Sequence, residues 1–244
     1  MLRVARFASL LLALLPSPSP AQDPGTNEVV VTGTRRERDD FDASRPAVGL
    51  RRTADFAVMF VNVAGDTRDA DRRHEEILAT VRSAIGLAQR SGIELSTGEF
   101  IVEPLTITNY RDLAMSSDGR PDTNRVTFLV KTRLGAGADG AAALQRIEHF
   151  VHAVPVTGRA ELHPSGELTL SVVAPDQYRA QILDLVAADS RATAARFGPN
   201  YAVEARGLDR PVEWMRASLT DVFLYVPYNM VVRPAGGSAA EAPR

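Results

Sequence analysis

At 244 residues and 45% hydrophobic content, the chain is long enough to bury a core as one domain or two small ones. Lysine and arginine together number 28 against 30 acidic residues, a balance with no basic footprint for nucleic acid or an anionic membrane surface. There is no cysteine, which excludes disulfides, thiolate metal sites and thiol redox chemistry.

Arg3 and Arg6 precede an apolar run from Phe7 to Leu15, and a small-residue region follows in which Ser19 and Ala21 stand at minus three and minus one of a cut before Gln22. Charged start, short apolar middle and small-residue end make a secretory signal peptide over residues 1–21. The run falls short of the ~20 apolar residues that span a bilayer. The expectation is a periplasmic protein of a Gram-negative envelope, with no transmembrane segment after cleavage.

Residues 22–54 read as a flexible arm, rich in Pro, Ser, Asp and Arg and carrying the mixed-charge run Arg35–Asp40. Within it Glu28, Val29, Val30, Val31, Thr32 and Gly33 form a β-prone segment that becomes a strand if a partner edge is offered. The stretch from Asn27 to Arg35 resembles the TonB box of TonB-dependent outer-membrane receptors, which implies pairing with the TonB protein through those residues. The rest of the chain departs from such receptors, being too short for a plug and a large barrel. A sticky β-prone segment in a disordered arm is the other reading. Since the arm has no hydrophobic face, the domain beyond it is expected to fold without it.

The globular domain is expected over residues 55–233. Phe56–Val63 is apolar on both faces and short, the pattern of a buried strand. A helix follows, capped by Asp66 or Thr67, with Ile77, Val81, Ile85 and Ala88 as its stripe and Ser91-Gly92 as its end. Ile93–Tyr110 reads as one long strand bent near Pro104, Asp118–Asp122 as a loop, and Arg125–Leu134 as a strand. Gly135–Gly140 lacks the glycine spacing of a phosphate loop and reads as a linker. It enters a second helix with Leu144, Ile147, Val151 and Val154 inward. Val156–His163 and Glu167–Val173 flank Pro164-Ser165-Gly166 as a hairpin. Pro175 opens a third helix that passes Ile182 and Leu185 and stops at Gly198-Pro199. Tyr201–Leu208 is a strand, Asp209–Pro211 a turn, and Asp221–Val232 an aromatic strand interrupted by Pro227. Residues 234–244 read as a disordered tail. The order of elements predicts an α+β fold, largely antiparallel with about three packed helices.

On these features residues 55–233 resemble the SIMPL domain family, exported bacterial proteins related to the periplasmic immunogenic proteins of Brucella. The likeness lies in the early strand and helix ending at Ser91-Gly92-Ile93, the Ser96-Thr97 pair with its extended continuation to Tyr110, the Ala-rich helix from Pro175 to Gly198, and Pro211-Val212-Glu213-Trp214. The resemblance implies an α+β fold of sheets flanked by helices, large ring-like homo-oligomers, an envelope location and no established catalytic residues.

Motifs that carry chemistry are sparse. Of the four histidines, His149 and His152 lie three apart on the second helix beside Glu148, open to a metal pair but more plainly solvent-facing, and not spaced as in a zinc protease. There is no Gly-x-Ser-x-Gly elbow. Asp184 with Asp189, and Glu75 with Glu76, read as exposed helix faces. The aromatic group Trp214, Phe223, Tyr225 and Tyr228 reads either as core or as a subunit interface. The expected protein is therefore non-enzymatic, without cofactor or metal, and acts by binding, with a small periplasmic hydrolase as the less favoured alternative.

Overall fold

The computed structural model describes residues 28–31, 47–98, 102–117 and 119–235. The expected signal peptide, Thr32, Gly33 and residues 236–244 of the expected tail lie outside the described residues. The elements are β1 (Glu28–Val31), β2 (Leu50–Thr53), β3 (Phe56–Gly65), α1 (Ala70–Ser91), β4 (Ile93–Thr97), β5 (Glu103–Pro104), β6 (Asn124–Arg133), α2 (Gly140–Ala153), β7 (Glu161–Val173), α3 (Arg179–Phe197), β8 (Tyr201–Arg206), β9 (Glu213–Arg216), β10 (Asp221–Tyr225) and β11 (Asn229–Pro234). This is the α+β fold that the order of elements predicts.

The main sheet has the order β1-β7-β3-β6-β4-β5 with every neighbouring pair antiparallel. Period-two geometry sends Ala57, Met59, Val61 and Val63 of β3 into one core and Phe56 and Val58 into another, which explains why this strand is apolar on both faces. The larger core lies under α1 and α2, where Ile77, Val81, Ile85 and Ala88 of α1 meet Ile147, Phe150 and Val151 of α2. Helix α1 ends at Gly92, whose φ of 64° is the left-handed conformation a helix C-terminus takes up. Its N-cap is Asp69, accepting the Arg72 backbone N–H at 2.8 Å. The caps expected from sequence, Asp66 and Thr67, are instead engaged by Arg159 and Glu76.

Two expectations about strands are corrected. Ile93–Tyr110 is not one strand, because the Asn109 side chain accepts the Thr106 N–H at 2.7 Å and donates to the Pro104 carbonyl at 2.9 Å, folding the segment into a turn. Pro164-Ser165-Gly166 does not make a hairpin either; β7 runs straight through it for 13 residues. Opposite β3 the register jumps from Val58–Thr169 to Phe60–Ser165, a bulge that takes up the extra residues with Gly166 at φ 80°. Pro164 is tolerated because β1 pairs only with Leu170–Val173, so at Pro164 the strand is an edge among the described residues.

A second layer consists of the sheet β2-β10-β9 and helix α3. Its core joins Leu170 and Val172 from the end of β7 to Ile182, Val212, Val222 and Leu224. The aromatic strand expected over 221–232 divides at Pro227 into β10 and β11, and β11 pairs with β8 in a separate ribbon. β9, carrying Trp214, is a strand that the sequence reading passes over.

Candidate strand-binding site

Two described parts of the segment expected as a flexible arm are strands of the two larger sheets. Leu50–Thr53 pairs with β10, and Glu28–Val31 becomes the edge strand of the main sheet, with Glu28, Val29, Val30 and Val31 opposite Val173, Val172, Ser171 and Leu170. The physical reason is an unpaired stretch of β7 backbone next to a buried cation. Lys131, the only lysine of the chain, points from β6 onto the sheet face away from α1 and α2 and is 3% exposed. Its Nζ is bonded to Oε2 of Glu28, while Oε1 of Glu28 accepts the Ser171 hydroxyl at 2.6 Å. Glu94 stands 3.9 Å from the same ammonium and pairs with Arg133 at 2.9 Å. The Phe56 ring lies 4.2 Å from Lys131 Nζ and 4.8 Å from the Arg133 guanidinium carbon.

Glu94, at 3.9 Å and shared with Arg133, only partly compensates this buried ammonium, and the carboxylate arriving on β1 completes the compensation. Sequence reasoning picked out Glu28 but passed over Lys131, Ser171 and Glu94. The available signal was the lone lysine of the chain standing directly after the apolar run Phe128–Val130. On its other side β1 has no strand among the described residues, so it forms the edge of the sheet.

The aromatic residues do not form one cluster. Trp214 packs against the second core, on the same face as its partner Leu224. Phe223 and Tyr225 stack on the opposite face of β10 with centroids 5.8 Å apart. Gly49 crosses directly over Phe223, where an added Cβ would fall 2.5 Å from the ring. Tyr228 is half-buried, and its hydroxyl titrates above the ordinary range because of burial and then the charge of Asp189. Exposed apolar side chains elsewhere include Phe197 and Leu185 on α3, Tyr201 on β8 and Val231 on β11, with Ile107, Val156 and Leu219 scattered on loops.

The remaining polar clusters pin loops. Glu76, expected on an exposed helix face, is buried and accepts from the Thr67 hydroxyl at 2.6 Å, the Arg72 Nε at 3.0 Å and the Arg159 N–H at 3.1 Å. The Thr67 hydroxyl first, then the Arg159 amide, holds its carboxyl below the usual range. Asp66 is lowered in turn by the two bonds from the Arg159 guanidinium, at 2.7 and 2.6 Å. His149 and His152 are exposed on α2.

Compared with protein-family models, with curated proteins and with solved structures, the chain finds no match in any of the three. No helix among the described residues is long and apolar enough to cross a membrane.

Proposed function

We propose that this is an exported, non-enzymatic envelope protein of the SIMPL type that self-associates and acts by binding, in envelope maintenance or stress tolerance. The observation that carries the reading is strand β1, a four-residue edge strand held by backbone pairing and one charge. Such an edge is an element for joining other strands. The exposed Phe197, Tyr201 and Val231 add apolar surface of the kind that associating proteins cover. Light scattering on the native mature protein tests the reading, with a closed assembly of several copies expected; a monomer at every concentration rejects it. Mass spectrometry of the periplasmic fraction should find Gln22 at the N-terminus, and a stable full-length cytoplasmic chain would reject export.

A second reading is favoured by the edge position of Glu28–Val31 itself: recruitment of TonB by strand addition. Strand addition draws its affinity from backbone hydrogen bonds, so Val30→Pro should abolish crosslinking to the TonB C-terminal domain while Val30→Thr preserves it. Absence of any crosslink with the wild-type protein rejects this reading.

A further inference from the structure

We propose that the edge of β7 is a strand-acceptor site which, in the self-associated protein, is filled by the Glu28–Val31 strand of a second copy. The inference rests on the self-association reading and names the element that carries it. Three observations lead to it. β1 is tied to its own chain through the 18 residues between Val31 and Leu50, a tether that reaches up to about 60 Å when extended. That reach permits the strand to seat on the β7 of a neighbour.

What β7 recognises is also fully reproduced by an identical chain. The contact consists of a four-residue antiparallel ladder, the Lys131–Glu28 ion pair and the Ser171–Glu28 hydrogen bond. Exchange between copies conserves every one of these bonds, so it costs little enthalpy. The carboxylate at the head of the segment sets the register, because a slip of one residue would carry it to the other face of the sheet and away from Lys131.

The acceptor is moreover built to survive exchange. When Glu28 leaves, Glu94 remains 3.9 Å from the Lys131 ammonium, so the cation keeps a counter-ion while the edge is empty. Opposing the exchange is proximity, since a tethered strand sees its own site at an effective concentration on the order of millimolar. Exchange therefore requires a second contact between copies, and Phe197, Tyr201, Leu185 and Val231 offer exposed apolar area for one.

The absence of cysteine makes a disulfide test clean. Val30 and Ser171 are ladder partners, and both cross-strand spacings of an antiparallel pair lie within the reach of a disulfide. Mature protein carrying Val30→Cys is mixed with protein carrying Ser171→Cys, incubated below the unfolding midpoint and oxidised. A covalent heterodimer on a non-reducing gel, absent when either variant is oxidised alone, is expected. A mixture with no heterodimer, alongside a double variant that closes its bond within one chain, overturns the proposal. A readout independent of cysteine is the light-scattering mass of Val30→Pro. Strand exchange predicts a fall to the monomer mass with unchanged helical circular dichroism, and an unchanged assembly mass overturns it. Should wild-type protein be monomeric throughout, self-association and exchange fall together; an oligomer with only internal disulfides rejects exchange alone.

Discussion

Lys131 and Glu28 show how one ion pair turns a sequence-remote segment into part of a sheet. Truncating Glu28 to Ala leaves the buried ammonium with Glu94 alone, and the expected cost is about 1–3 kcal/mol. Lys131→Met removes the charge along with its need for a partner, so in that background Glu28→Ala should cost much less. Urea unfolding of the four proteins in the cycle measures the coupling, and strictly additive losses would deny it. A second residue-scale prediction concerns acid. Glu76 has its folded-state pKa held below the ordinary 4.5, so it contributes stability that is fully present above that value and is lost as pH falls through the lowered one. Glu76→Gln should lower stability at pH 7 and flatten the acid limb of a plot of unfolding midpoint against pH. An acid limb as steep as in wild type would show that other carboxylates govern it.

At the scale of elements, helices were legible and strand pairing was much less so. The stripe Ile77, Val81, Ile85 and Ala88 is buried as its spacing implies, since helical hydrogen bonds are local and only the apolar face must find a partner. Ile85→Asp places an uncompensated carboxylate in the main core and should abolish cooperative unfolding by circular dichroism. For β7 the turn-like Pro164-Ser165-Gly166 spelled a hairpin, yet β3 supplies a continuous partner along which a bulge is cheaper than a reversal. An added Cβ at Gly166 meets nothing within 4 Å, so Gly166→Ala isolates the backbone strain of φ 80°. It should cost about 1–2 kcal/mol in chemical denaturation, and a neutral result would mean that the bulge relaxes.

For the whole molecule, the two N-terminal strands tie the main sheet and the second layer to the start of the chain. Among the described residues, deleting residues 22–46 removes only β1, and each kcal/mol so lost should lower the melting temperature by about 2–4 °C. Extending the deletion through residue 53 also strips β2 from β10, with the Arg51–Asp221 pair at 3.0 Å and the Arg52–Asp55 pair at 2.8 Å. That variant should melt in two steps or at a much lower temperature, as calorimetry would reveal. Equal melting of both deletions and wild type would return residues 22–54 to the role of a mere arm.

The sequence by itself determined the helices and their stop signals, the α+β order of elements and the exclusion of disulfide chemistry, because these depend on local periodicity and residue type. It also marked the segment Glu28–Gly33 as a strand awaiting an edge. Only the tertiary structure decided which edge, since backbone hydrogen bonds carry no residue code and the selecting contacts come from Lys131 and from Ser171, 143 positions away from Glu28. The same non-locality joined β7 to both cores, buried Glu76 beneath the loop at Arg159 and put Trp214 on the opposite face of the β2-β10-β9 sheet from Phe223 and Tyr225.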